Sequence, residues 1–142
     1  MTPKSLAYAP QDVFQQIQRY AVIPTFDLIV WIEEKGVVLV KRKIAPYKAT
    51  WALPGLRMMK PEGIEDTLAR IAEKEIGVAI DPAKHIFIDQ YVGKFKTESN
   101  RQDLSTCYAF FVDPVEVVLN SEHFSSVRFI RNLEQAPVRT GV

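Results

Sequence analysis

The residues from Trp51 to Val78 hold most of this chain's chemical potential, and one acid among them is out of place. Projected at about 100° per residue, the stretch 64–76 sets Ile64, Leu68, Ile71, Ala72 and Ile76 on one side, with Glu75 in the middle of that stripe. An ionised carboxylate buried there without a partner raises its pKa or costs several kcal/mol, so a cation is expected beside it, either a metal or a side chain. The alternative is that Glu75, one turn from the helix end, reaches solvent or pairs with a nearby lysine. Glu62 precedes the same helix and Arg70 lies two turns along it, a spacing suited to a salt bridge between loop and helix.

Charge around this helix is segregated. From Lys35 to Pro61 there are seven basic residues (Lys35, Lys41, Arg42, Lys43, Lys48, Arg57, Lys60) and no acid. From Glu62 to Glu75 there are five acids against Arg70 and Lys74. Two solvated faces would give this pattern. So would a site for a polyphosphate with its divalent cation, the ligand that uses both signs at once.

The elements that must position these groups follow from periodicity. Asp12–Tyr20 has helical spacing, with Val13, Phe14 and Ile17 on one side, free to cover the core or a subunit partner. Residues 25–32 and 37–42 are β-rich runs joined by Glu33-Glu34-Lys35-Gly36, which reads as a hairpin. A short strand is expected at Trp51–Leu53, broken by Pro54-Gly55, and then a helix over 64–76 stopped by Gly77. Strands are expected again at 85–92, 104–112, 115–119 and 127–130, with a polar loop at 93–102. Runs of strands around one long helix predict an α/β chain with a mixed sheet.

A length of 142 residues with 47% hydrophobic content suits one domain. The single cysteine, Cys107, excludes an internal disulfide and lies in the apolar run 107–112, where a core role is expected. A cytoplasmic location fits that usage. Neither an export segment at 1–10 nor an apolar run of membrane-spanning length is present in the sequence. The formal charge of +1 offers nothing for a nucleic-acid polymer.

The frame Leu56, Glu62, Arg70, Glu75, Gly77 and Val78 resembles the Nudix box, Gly-x5-Glu-x7-Arg-Glu-apolar-x-Glu-Glu-x-Gly-apolar. The departures are Leu56 for Gly, and Ile71 and Lys74 for the first two glutamates of the helix. The resemblance implies a Nudix fold, an α/β/α sandwich with a mixed β-sheet over residues 1–142, with an N-terminal extension at 1–20 and the box at 56–78. Within the family, the GDP-mannose mannosyl hydrolases lack the same two carboxylates and keep the one matching Glu75. Further similarity runs through 26–30, Val40-Lys41-Arg42, Trp51, Arg57, Lys60 and Glu62.

That branch implies hydrolysis of a GDP-mannose-like nucleoside diphosphate sugar at the sugar carbon, releasing nucleoside diphosphate and sugar. Magnesium, or manganese in its place, would be held by Glu75, the Leu56 carbonyl and Glu122. Arg57 would stabilise the departing diphosphate and His123 would be the general base. Without the resemblance, a lone loop histidine is simply solvated. Asp27, which interrupts an apolar strand, either faces solvent or reads sugar hydroxyls. Arg42, Lys48, Lys60 and Arg101 would bind substrate, and Tyr91, Phe95 and Lys96 would position a nucleoside. Glu62, Arg70 and Gly77 would be structural. An arginine of the branch is replaced by Ala45, with Lys43 or Lys48 nearby to compensate. A homodimer is expected. Two alternatives stand beside this one: a pyrophosphatase cleaving at phosphorus, and a non-catalytic Nudix domain that binds a nucleotide as sensor or partner module.

Overall fold

The computed structural model describes residues 5–44, 48–95, 101–132 and 134. Ala45 and Lys96 lie outside the described residues, as does the side chain of Phe95. In chain order the elements are α1 (Gln11–Tyr20), β1 (Ile23–Ile32), β2 (Gly36–Arg42), β3 (Trp51–Ala52), β4 (Gly55–Arg57), α2 (Ile64–Ile76), a 3-10 turn (Pro82–Lys84), β5 (Ile86–Phe95), β6 (Arg101–Val112) and β7 (Phe124–Ile130).

Alternation along β1 is strict: Phe26, Leu28, Val30 and Ile32 are buried, while Thr25, Asp27, Ile29 and Trp31 are half-buried. β1 pairs in parallel with β6 along its whole length, Ile23 beside Asp103 through Ile32 beside Val112. Its other edge is shared, with β4 antiparallel at 25–27 and β2 antiparallel at 31–32. β2 then carries β3 and β7, and β5 closes the far edge against β6, giving a mixed seven-stranded sheet of order β3-β2-β1-β6-β5 with β4 and β7 as branches. The buried residues of β1, with Tyr108 and Phe110 of β6, form one core with Leu68, Ile71, Ala72 and Ile76 of α2. The other face of β1 and β6 carries Thr25, Asp27, Ser105 and Cys107, away from α2.

Four expectations change: the polar loop expected at 93–102 is strand at both ends, since β5 runs to Phe95 and β6 begins at Arg101. The run 115–119 is not a strand; Val118 N–H donates to the Ile76 carbonyl and Asn120 N–H to that of Glu75, at 2.9 and 3.0 Å, so this segment satisfies the end of α2. The expected break at Pro54-Gly55 opens directly into β4. Ile64 is 43% exposed and Thr67 takes the buried position one turn on, its hydroxyl donating to Glu62 and within reach of the Gly63 carbonyl. α1 buries none of its residues fully.

Candidate active site

The site is built around the two ends of α2. At the start, Asp66 reaches back to accept the Gly63 N–H at 2.8 Å, fixing the first turn. Arg70 grips Glu62 with two donors, Nε at 2.7 Å and Nη2 at 2.8 Å, and Nη2 also donates to the Arg57 carbonyl at 2.6 Å. Glu62 further accepts from Met59 N–H and Thr67 Oγ1. Burial alone would raise the Glu62 pKa, but the Arg70 bonds, the Met59 N–H, the guanidinium charge and the Thr67 hydroxyl together hold it below the ordinary carboxylate value. The effect is to tie β4, the following loop and α2 into one unit.

At the far end, Gly77 has φ 65° and closes the helix in the left-handed conformation. Two residues earlier Glu75 is fully buried, with 0% exposure. Its partner is the imidazole of His123, whose Nδ1 lies 2.8 and 2.9 Å from the two carboxylate oxygens. The cationic or hydrogen-bonding neighbour that a carboxylate in an apolar stripe requires is therefore a side chain. His123 is held in turn: its N–H donates to the Asn120 carbonyl, its carbonyl accepts from Lys43 N–H at 2.7 Å, and Lys43 Nζ donates to the Ser121 carbonyl. Asn120 also accepts the Glu122 N–H with its side chain. Asn120 and Lys43 thus shape the loop that carries His123; the Asn-Ser-Glu-His order, which favours an Asx turn, is the signal that points to Asn120.

The helix positions of the other two box glutamates are taken by Ile71, at 0% exposure in the core, and by Lys74, which is exposed. Glu122 is exposed, and among the described residues no group of three His, Cys, Asp or Glu gathers to hold a metal. Leu56 pairs with Phe26 in the antiparallel β4–β1 ladder, and its backbone has no positive φ. A single ion at Glu75 would take most of its ligands from water and substrate. Such an ion would compete with His123 for the Glu75 oxygens.

A second group lies on the sheet face away from α2. Asp27 accepts a hydrogen bond from the Tyr91 hydroxyl, and loss of water together with the Asp27 charge pushes the Tyr91 pKa well up. A Cβ at Gly55, which pairs with Asp27, would collide with the Asp27 carboxylate and come within 2.7 Å of the Phe26 carbonyl, so only glycine fits there. Cys107 is buried beside them and burial, then the Asp27 and Asp89 charges, pushes its thiol up to about 11, which suits a core residue and not a nucleophile.

Arg57 belongs to this face as well. Its guanidinium lies 3.8 Å over the Phe14 ring of α1. Burial and then the Arg101 and Arg70 charges lower its pKa, against the opposing influence of Tyr8. Arg101 lies 3.7 Å from the buried Asp103, whose pKa burial raises. Arg42 is half-buried on β2, while Lys48 and Lys60 are exposed. The structure thus gathers Glu75 with His123, and Asp27 with Tyr91, on opposite faces of β1. His85 Nδ1 binds the Pro82 carbonyl at 2.7 Å and its ring meets that of Tyr108 edge to face, a structural position.

Comparison with known proteins agrees with this architecture. A low-salt glycan biosynthesis protein, Agl8, from Haloferax volcanii is 25% identical over 123 residues, 80% of this chain and 74% of that protein. A MutT/nudix family protein from Enterococcus faecalis matches with a TM-score of 0.67 at 20% identity, covering 84% of this chain but only 50% of that one. The NUDIX domain of Shewanella oneidensis NrtR, solved with ADP ribose, matches with a TM-score of 0.63 at 16% identity, covering 84% of this chain and 82% of that one. No helix among the described residues is long and apolar enough to cross a membrane. Residues 23–140 match the NUDIX domain family, and the chain belongs to it.

Proposed function

We propose that this Nudix domain hydrolyses a nucleoside diphosphate sugar of the GDP-mannose type, by attack of water at the sugar carbon. The observation that carries the reading is the Glu75–His123 pair. With the Nδ1 proton directed at a buried carboxylate, the imidazole is fixed in one tautomer and orientation and Nε2 is left as an acceptor. That is the arrangement of a general base oriented by an acid. Water would lose its proton to Nε2 as its oxygen bonds to the sugar carbon, and the electron pair of the breaking C–O bond would leave on the diphosphate.

Nudix hydrolases generally use divalent metals such as magnesium or manganese. A single ion of this kind, held by Glu75, the Leu56 carbonyl and Glu122, would offset the charge of the departing diphosphate. Of the basic residues, Arg42, whose strand position pairs with Phe124 beside His123, would bind and neutralise the same group, whereas Arg57 lies with Asp27 on the other face of β1. Asp27, held by Tyr91 and by the space at Gly55 on the other face of β1, is not placed to reach a sugar bound at the Glu75–His123 pair. The glycan-biosynthesis assignment of the Haloferax relative is compatible with a sugar nucleotide.

Turnover of GDP-mannose in oxygen-18 water tests this. Label in the sugar is the expected result; label in a phosphate would establish the pyrophosphatase reading instead. Loss of two acidic positions to Ile71 and Lys74 favours one further reading, a nucleotide binder without turnover. Thermal stabilisation by GDP-mannose and magnesium with no hydrolysis at all would establish it.

A further inference from the structure

On the sheet face away from α2, α1 covers the end that carries Arg57, with the Phe14 ring against the guanidinium. At the other end of that face stand Trp31 and Phe111, register partners in the parallel pair of β1 with β6. Phe111 is 72% exposed and Trp31 is half-buried. Two residues further along each chain come Glu33 and Asp113, both exposed. The Glu33 N–H donates to the Val112 carbonyl at 2.9 Å, which keeps the two segments side by side beyond their last strand residues. Trp31, Glu33, Phe111, Val112 and Asp113 line an open hollow of about 250 Å³. Among the described residues, neither Glu33 nor Asp113 has a cationic partner. The cations nearby are engaged elsewhere: Lys35 Nζ donates to the Val115 carbonyl at 3.1 Å and lies 3.7 Å from Glu116, and Arg131 donates to the Glu34 carbonyl.

We propose that this hollow binds the guanidinium of an arginine carried on another polypeptide. Its size suits a single side chain, because sites for whole small-molecule ligands occupy roughly 300–1,000 Å³. Its charge selects a cation: two carboxylates at the rim repel a phosphate and offer an apolar group nothing. The rings decide which cation. A guanidinium is planar and weakly hydrated, and it lies flat on an aromatic face while its N–H donors fork towards two carboxylates. An ammonium or a hard metal ion holds its water strongly and gains less from Trp31 and Phe111. Free arginine brings its own carboxylate towards Glu33 and Asp113, a repulsion that an arginine flanked by amides does not carry. The hollow lies on the face of β1 away from the Glu75–His123 pair, and the inference does not depend on the reaction proposed above.

Titration of the protein with the peptide acetyl-Gly-Arg-Gly-amide is the test, followed in proton–nitrogen NMR spectra through the Trp31 indole N–H, assigned by its loss in Trp31→Phe. Saturable shifts of that signal are expected, with a dissociation constant of about 1 mM. The lysine counterpart of the peptide and free arginine should each bind about threefold more weakly or worse. Glu33→Gln with Asp113→Asn should weaken the arginine peptide by about tenfold, and Phe111→Ala by about fivefold. A Trp31 signal unmoved up to about 20 mM peptide overturns the site. Equal affinity for the lysine peptide overturns the guanidinium, equal affinity for free arginine overturns the polypeptide source, and full affinity in the variant lacking both acids overturns the inference as a whole. The peptide comparison is made on the unmutated protein, so it decides even where a variant fails to fold.

Discussion

The first half of α2 is anchored by a dense set of bonds, with Arg70 reaching both Glu62 oxygens and the Arg57 carbonyl while Thr67 and Met59 complete the carboxylate's shell. The last turn offers far less: a single buried acid, Glu75, with one imidazole against both its oxygens. The first half is architecture, and its residues keep the Nudix frame. The second half carries the two helix positions where that frame departs, Ile71 and Lys74, beside the one acid it keeps, Glu75. A box motif is thus two separable devices, and the fold survives alteration of one because the other holds loop and helix together.

The sharpest way to break that separation is to restore the lost acid in the core. Ile71→Glu removes roughly 2 kcal/mol of apolar burial and buries a carboxylate without a partner, at a further cost of several kcal/mol. Against a total stability of about 5–15 kcal/mol, the variant is expected to be largely unfolded by circular dichroism and urea titration. Retention of full stability would show that this helix face opens readily to solvent, and that its acid was lost without structural consequence.

His123→Ala probes the last turn. Turnover of GDP-mannose should fall by about 10²–10⁴-fold, and stability by about 1–3 kcal/mol because Glu75 loses its hydrogen-bond partner. Glu75→Gln should lower turnover while the fold persists. A His123→Ala enzyme within a few-fold of the unmutated rate would remove the base from this position.

Arg70→Ala probes the first half, and should destabilise by about 3 kcal/mol, since a carboxylate only 3% exposed then loses its main partner. The sign with pH follows from the lowered folded pKa of Glu62. Its contribution is present above the unfolded value of about 4.3 and is lost as pH falls through the folded value below it. The unmutated protein should therefore lose stability on acidification in that window, and Arg70→Ala should flatten the slope in urea titrations across it. Catalysis is expected to change only through the amount of folded enzyme.

What the chain reveals without a structure follows the range of the interactions. Alternation located β1, and the apolar stripe with Gly77 located α2, because both signals are local. The need of Glu75 for a partner was legible for the same reason. The identity of that partner was not, since His123 lies 48 positions away and is placed by Asn120 and Lys43. The parallel register of β1 with β6 is equally non-local. Residues 115–119 mislead because β-branched composition reports strand preference, whereas here the backbone is committed to the open carbonyls of α2. Thr67 is absent from the apolar stripe because a hydroxyl counts as polar in a helical projection, yet it is buried with its bonds made to Glu62 and Gly63.

The smallest expected effect belongs to Lys74, and it sharpens the contrast within the last turn. Lys74 is exposed, so a glutamate there meets no core. It forfeits a favourable charge at a helix C-terminus and should cost at most about 1 kcal/mol. Beside Glu75, however, it replaces a repelling charge by an attracting one, which for a divalent cation some 6 Å away is roughly 11 kcal/mol at an effective dielectric near 20, and solvent and salt screening at this exposed position reduce that to a small fraction. Manganese binding followed by electron paramagnetic resonance should therefore tighten by about tenfold in Lys74→Glu. It should tighten further when His123→Ala frees the Glu75 oxygens. Equal manganese affinity across these variants would mean that the ion, where it binds, does not sit at the end of α2, and that Glu75 serves the imidazole alone.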